Sequence, residues 1–251
     1  MPVLQRDSRF LGVAAGGSWI SAEMDAFSDL DLVLAIAPAG LASVSESRMQ
    51  IAESLGPMLA GFTGEHVGEP RLLICLYDAP LLHVDLKFVP LPELEQRVED
   101  PVVLWERDGA LTRAISAGPA TFPMPDLQWV EDRFWVWVHY AATKLGRGEL
   151  FEVVDFMAFL RSQVLGPLAF VAEGQRPRGV RKLETGLPRY LSAFQRTLPA
   201  LDAKSCADAL LAAIQLYREL RQITGGTRLR RRSDAEQAST QYLTQTIDRR
   251  P

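Results

Sequence analysis

Residues 16–36, GGSWISAEMDAFSDLDLVLAI, decide the fold of this 251-residue chain. Their Gly-Gly-Ser turn follows an apolar run at residues 10–15, which predicts a strand that ends in a tight turn. The sequence Asp-Leu-Asp then opens a second predicted strand, at residues 30–36. Because residues two apart in a strand share a face, Asp29 and Asp31 are expected to project together while their neighbours face the core. The stretch therefore predicts two carboxylates held side by side at a strand entrance.

The other elements of residues 1–120 predict a small mixed sheet with one helix. Apolar residues with helical spacing predict that helix over residues 43–59. Two strand-like runs follow at residues 71–77 and 81–89. The sequence Asp-Ala-Pro between these runs suits a short turn joining antiparallel partners.

A third acidic residue lies in the last of these runs. Polar His83, Asp85 and Lys87 alternate there with apolar residues, so that one face of the strand is polar. If this strand lies beside the strand of residues 30–36, Asp85 joins the two earlier aspartates. Three carboxylates would then stand on one face of the sheet.

The chain changes character after a proline-rich stretch at residues 118–125, and residues 121–251 are predicted to be entirely helical. One amphipathic helix is expected to end at Gly146, where the apolar stripe stops. Further helices are predicted at about residues 149–172, 187–198 and 203–222, with a short one at 237–247. The predicted fold class is α+β, with a small mixed-sheet domain followed by an all-helical C-terminal domain.

Composition and net charge exclude some classes of protein. With 47% apolar residues and no long uninterrupted apolar stretch, the chain is expected to be globular, cytoplasmic and without a membrane partner. The formal charge of −4 argues against a protein that coats nucleic acid, and the basic run at residues 228–232 is expected to be a solvated, mobile face. Cys75 and Cys206 are expected to be reduced packing residues.

The glycine turn and the paired carboxylates together predict a site for a metal-bound triphosphate. Carboxylates spaced like Asp29 and Asp31 can share Mg²⁺, with phosphate oxygens completing its coordination. Backbone N–H groups at Gly16 and Gly17, and the Ser18 hydroxyl, can donate hydrogen bonds to phosphate oxygens. Taken singly, each motif is also typical of an ordinary turn with solvated side chains. The P-loop, dinucleotide-binding and nucleophile-elbow motifs are absent from the sequence.

These residues resemble the nucleotidyltransferase fold of the DNA polymerase β superfamily. The resemblance to the catalytic domain is carried by the glycine turn, the Asp-x-Asp motif and the later acid, at Gly17, Ser18, Asp29, Asp31 and Asp85. The order of a sheet domain and then a helical domain is similar to the aminoglycoside and lincosamide nucleotidyltransferases. That second similarity rests on Phe134-Trp135 and on the sequence KLGRGEL at residues 144–150.

The resemblance implies a role for each of these residues. Gly17 and Ser18 would hold the triphosphate of ATP, and Asp29 and Asp31 would bind Mg²⁺, with Asp85 as the third carboxylate. Lys144 would reach the phosphates and help pyrophosphate to leave; alternatively, it is a solvated lysine favoured by the helix macrodipole. The general base would be Asp85 or a glutamate of the helical domain.

The function implied is transfer of a nucleoside monophosphate, AMP from ATP, to a hydroxyl of a small molecule such as an aminoglycoside- or lincosamide-like antibiotic. Adenylyl transfer to a protein or RNA is an alternative. A nucleotide-binding module without turnover is another, although clustered carboxylates have no evident physical use in such a module. The sequence does not predict the acceptor, the preferred nucleotide or the oligomeric state.

Overall fold

A six-stranded mixed sheet forms the centre of the first part of the chain in the computed structural model, which describes residues 1–249. The chain divides into a first unit, Met1–Pro123, and a second unit that begins at Met124. The strands are β1 (Phe10–Ala15), β2 (Leu30–Ile36), β3 (Met58–Gly64), β4 (Glu69–Tyr77), β5 (Leu82–Pro90) and β6 (Val102–Glu106), in the spatial order β3-β4-β5-β2-β1-β6. Strands β2 and β5 run parallel, and every other neighbouring pair is antiparallel. The predicted mixed sheet is confirmed.

The two faces of this sheet bury different sets of side chains. The larger cluster includes Leu34 and Leu86 and packs against Val44, while the smaller one includes Val89 and packs against Leu111. Alternation along β2 and β5 places Asp31 and Asp85 on the face of the smaller cluster, away from the main core. Charged side chains on this face therefore lie between the apolar residues of the smaller cluster and solvent.

The single helix predicted over residues 43–59 is two short helices, the second of which ends at Glu53, so the prediction is wrong for residues 54–59. The first unit contains short helices α1 (Pro2–Arg6), α2 (Leu41–Glu46), α3 (Arg48–Glu53) and α4 (Ala110–Ser116), and 3₁₀ turns at Gly17–Trp19, Pro38–Gly40, Glu65–Val67 and Leu91–Glu95. Proline disfavours helical backbone in the residue before it and cannot donate to the preceding turn, so Gly56-Pro57 ends the helical segment. The residues that follow form β3, which pairs with β4 at the sheet edge.

The second unit is helical throughout its regular structure. Its helices are α5 (Leu127–Arg147), α6 (Leu150–Leu160), α7 (Gly166–Ala172), α8 (Leu183–Gly186), α9 (Leu191–Gln195), α10 (Ala203–Thr224) and α11 (Ser233–Asp248), with a π-helical turn at Arg161–Leu165. The helix predicted over residues 187–198 is shorter in the structure, where α9 covers Leu191–Gln195. Pro188 disfavours helical backbone at Leu187, which has φ −132° and ψ 54°. The arginines of residues 228–232 are exposed, as expected.

A buried carboxylate ties the core of the second unit together. Glu131 is fully buried and accepts hydrogen bonds from the Tyr217 hydroxyl (2.6 Å), Arg221 Nη1 (3.0 Å) and Arg232 N–H (2.9 Å). Burial by itself raises the pKa of the Glu131 carboxyl, but these donors outweigh burial and hold the pKa below its usual value. Helices α5 and α10 are thereby joined through one ionised side chain.

The helical stretch Leu150–Ala172 is long and apolar enough to cross a membrane by length and composition. Half of its most apolar window is buried inside the protein, and core helices of soluble proteins pass the same test. The expectation of a cytoplasmic protein without a membrane partner stays a prediction. Both cysteines are buried and free, so the packing role expected for them is confirmed.

Candidate functional site

Two of the predicted acids lie directly opposite each other on neighbouring strands. Asp31 of β2 pairs in register with Asp85 of β5, and the two strands are parallel. Residues paired in this way share one face, on strands about 4.8 Å apart. The adjacency expected for Asp85 is therefore present, and both side chains are partly buried.

The glycine turn lies against the Asp31 carboxylate. Gly16 N–H donates to the Asp31 carbonyl oxygen at 2.8 Å, so the backbone hydrogen bonding between β1 and β2 continues into the turn. Gly17 has φ +56°, and a Cβ placed on it would lie 1.8 Å from Asp31 Oδ2. Only glycine fits both this backbone conformation and the close approach of the carboxylate.

An open cavity of about 360 Å³ lies over this part of the first unit. Its lining includes the glycine turn and eight charged residues: Asp31, Glu69, Arg71, Asp85, Lys87, Glu93, Arg97 and Glu99. Apolar side chains of the smaller cluster, among them Val89 and Leu94, form part of its wall. The cavity therefore offers both basic and acidic side chains, which suits a ligand made of a polyanion and a bound cation.

Ion pairs in this cavity were not predicted from the sequence. Lys87 Nζ lies 2.7 Å from Glu69 Oε2, and Arg71 Nε lies 2.7 Å from Glu69 Oε1. Arg71 also pairs with Glu93. The hydrogen bond from Arg71, reinforced by Lys87 and opposed by burial, lowers the pKa of Glu69 to about 2. Alternation marked Lys87 as lying on the polar face, but its partner on β4 could be found only from the strand pairing.

Asp85 has a second polar neighbour on its own strand. His83 Nε2 lies 2.9 Å from Asp85 Oδ1, and the two residues share a face because they are two apart. Lys87 continues the same face. The prediction of one polar face on this strand is confirmed.

Asp29 and Ser18 lie near these residues in the chain but do not line the cavity. Asp29 immediately precedes β2, and Ser18 belongs to the 3₁₀ turn after Gly16. Within residues 1–249, no three His, Cys, Asp or Glu side chains are grouped so that they could hold a metal ion. Metal binding by Asp29, Asp31 and Asp85 together stays a prediction.

Lys144, the remaining predicted residue, lies in the last turn of α5. Its Nζ is 2.7 Å from Glu149 Oε2 and 3.1 Å from Glu152 Oε2. The hydrogen bonds to Glu149 and then to Glu152 raise the pKa of Lys144 to about 12. The lysine is therefore a firmly charged group with two carboxylate partners, and its contact with phosphates stays a prediction.

Comparison with solved structures returns similar proteins at low sequence identity. One is an aminoglycoside 6-adenyltransferase from Bacillus subtilis, with 18% identity, a TM-score of 0.42, and coverage of 97% of this chain and 94% of that one. Another is a nucleotidyltransferase-like protein from Exiguobacterium sibiricum, with 13% identity, a TM-score of 0.40, and coverage of 98% and 76%. No protein-family model matches the chain, and no curated protein sequence matches it. At these low scores, function has to be inferred from the residues of the site.

Proposed function

We propose that this chain is a metal-dependent nucleotidyltransferase that transfers AMP from ATP to a hydroxyl of a small molecule and releases pyrophosphate. One observation carries the proposal: Asp31 and Asp85 stand in register on parallel strands, and the Gly16-Gly17 turn is packed against Asp31. Backbone donors and paired carboxylates are the two kinds of group that a metal-bound triphosphate needs.

The donor set fits Mg²⁺. Mg²⁺ prefers oxygen ligands and is commonly held by one or two carboxylates together with substrate phosphate oxygens. Asp31 and Asp85 supply two carboxylates on one face, and Asp29 stands immediately before the same strand. When bound, Mg²⁺ neutralises charge on the phosphates and orients them.

The residues of the site would then have separate roles in an in-line displacement at the α-phosphorus. The acceptor hydroxyl attacks the α-phosphorus, the bond to the bridging oxygen of pyrophosphate breaks, and the hydroxyl proton passes to Asp85 or to a glutamate of the helical unit. Gly17 N–H and the Ser18 hydroxyl hold phosphate oxygens. Lys144 neutralises charge that develops on the departing pyrophosphate.

A small hydroxylated acceptor is favoured over a macromolecule. The formal charge of −4 disfavours an RNA acceptor, because RNA binding draws most of its affinity from basic surfaces. The sequence resemblance to aminoglycoside and lincosamide nucleotidyltransferases favours antibiotic-like molecules among small acceptors. A nucleotide-binding module without turnover remains the alternative from another class.

The test is transfer from ATP labelled in its adenine ring, with Mg²⁺ and a panel of hydroxylated antibiotics, read by mass spectrometry of the products. We expect an adenylylated product with the wild-type chain and none with Asp31→Asn or Asp85→Asn. Asp78→Asn is the matched control, because Asp78 lies in the β4–β5 turn outside the cavity lining. Equal product from Asp31→Asn and Asp78→Asn would contradict the assignment of the site.

A further inference from the structure

The turn proposed to hold the triphosphate already carries an anion from the chain itself. Gly17 N–H donates to Glu99 Oε1 at 3.3 Å, across 82 residues of sequence. The same oxygen lies 3.9 Å from the position that a Cβ on Gly16 would take, and Asp31 Cβ lies 3.5 Å from that position. A further carboxylate is therefore held over the glycine turn, on the side where the turn approaches Asp31.

The position of Glu99 is fixed by the segment that carries it. Residues 96–101 form no helix or strand, but Arg97 anchors them. Arg97 Nη2 donates to the carbonyl oxygens of Ile115 (2.7 Å) and Gly118 (2.6 Å), and Arg97 pairs with Asp100. The side chain of Arg97 is only 9% exposed, so this anchor is well packed.

No lysine or arginine in residues 1–249 forms an ion pair with Glu99, although Glu99 is partly buried in the lining of a cavity that also contains Asp31 and Asp85. Carboxylates held close together repel one another. The hydrogen bond from Gly17 N–H to Glu99 offsets part of this repulsion. A phosphate oxygen bound at the turn would need the same N–H donor, and one N–H donates a strong hydrogen bond to only one anionic acceptor at a time.

We infer that Glu99 sets the nucleotide affinity of the site by competing with a phosphate oxygen for Gly17 N–H. This inference rests on the proposed function, because it assigns Glu99 to the same phosphate-binding turn. Glu99 keeps the turn occupied before nucleotide arrives, and its negative charge opposes a bare polyphosphate. Mg²⁺–nucleotide carries less negative charge and displaces Glu99 more readily. Glu99 affects nucleotide binding through its hydrogen bond with Gly17 and does not itself contact the reacting atoms.

The test measures binding of Mg²⁺–ATP and of Mg²⁺–pyrophosphate by calorimetry. Pyrophosphate serves as a probe that does not depend on the preferred base. Glu99→Gln keeps an oxygen acceptor and removes the charge, and Glu99→Ala removes both. We expect each variant to bind the two probes about tenfold more tightly than wild type. Glu95→Gln, on the exposed 3₁₀ turn just before this segment, should bind like wild type.

Two further readouts separate competition from a structural effect. In transfer assays the KM for ATP should fall in Glu99→Gln while kcat stays close to wild type, because Glu99 does not touch the reacting atoms. The amide resonance of Gly17 should shift on adding Mg²⁺–pyrophosphate to wild type, and the same shift should appear at lower ligand concentration in Glu99→Gln.

Unchanged or weaker binding in both Glu99 variants, with wild type binding the probes, would overturn this inference and leave the proposed function standing. Failure of wild type to bind either probe would overturn both. Thermal unfolding of Glu99→Gln at the wild-type midpoint accompanies the expected result, whereas a fall in the midpoint together with weaker binding would make Glu99 a structural support of the turn.

Discussion

Replacing Gly17 with alanine perturbs the site at its tightest point. The new Cβ would lie 1.8 Å from Asp31 Oδ2, and real Cβ contacts are essentially never below 3.0 Å. The carboxylate oxygen must therefore withdraw by about 1.2 Å. Because the obstacle is a side-chain oxygen and not backbone, the fold can yield by rotating Asp31 out of its position. The substitution should therefore reduce ligand binding and transfer more than it reduces the stability of the fold.

Two effects of different size follow from this geometry. The left-handed backbone at Gly17 costs an alanine about 1–2 kcal/mol of stability. Displacing Asp31 by about 1 Å is expected to slow transfer by about 100-fold, because misplacement of that size typically costs two orders of magnitude in rate. Mg²⁺–ATP binding should weaken as well, since one carboxylate would leave the proposed metal position.

Gly68→Ala is the matched control for this substitution. Gly68 also has left-handed backbone, with φ +75°, but nothing lies within 4 Å of its Cβ position. Both variants should lose similar stability in denaturant unfolding, and only Gly17→Ala should lose Mg²⁺–ATP affinity and transfer. Equal activity of the two variants would refute the argument that the Gly17–Asp31 approach shapes the site.

Three other predictions concern residues outside this contact. Lys144→Ala should weaken ATP binding or slow transfer while shifting the thermal midpoint little, because its partner carboxylates remain in contact with water; unchanged kinetics would remove Lys144 from the site. Glu69 has a folded-state pKa of about 2 against a usual value of 4.5, so its ion pairs stabilise the fold above about pH 4.5 and less as pH falls towards 2. The difference in midpoint between wild type and Glu69→Gln should shrink over that range, and a constant difference would contradict the pairing. Glu131→Gln should lower the free energy of unfolding by about 3 kcal/mol in urea, because its amide would face the donors of Tyr217 and Arg221; a change below about 1 kcal/mol would show that the network adds little.

The sequence predicts the centre of the site well because that centre depends on local patterns. Strand alternation alone put Asp31 and Asp85 on polar faces, and the glycine turn marked the end of β1. The pairing of β2 with β5 was conditional in the sequence, and the structure confirms it. The face on which each aspartate lies follows from short-range rules of strand geometry, whereas the pairing of the two strands does not.

Features that depend on contacts distant in sequence were missed. The Gly17–Glu99 hydrogen bond spans 82 residues, and no local pattern distinguishes Glu99 from the other acidic residues of the sequence. Strand β6 lies just before the unit boundary and pairs with β1, yet its short run of apolar residues gives a weak signal. The edge strand β3 was not predicted, and its first two residues, Met58 and Leu59, fell inside the predicted helix because apolar spacing there fits both structures.

The central claim is that a metal-bound triphosphate binds at Asp31 and Asp85, with Asp29 as a further predicted ligand, and a pair of titrations on the acids at the start of β2 tests it most directly. Mg²⁺-dependent ATP binding is measured by calorimetry, and thermal unfolding without metal is measured on the same wild-type, Asp29→Asn and Asp31→Asn proteins. Asparagine keeps the shape of aspartate and removes its charge, so both variants should bind Mg²⁺–ATP much more weakly while unfolding at or slightly above the wild-type temperature. If both variants bind Mg²⁺–ATP like wild type, the account is contradicted, and if they unfold early, these acids are structural residues of the turn.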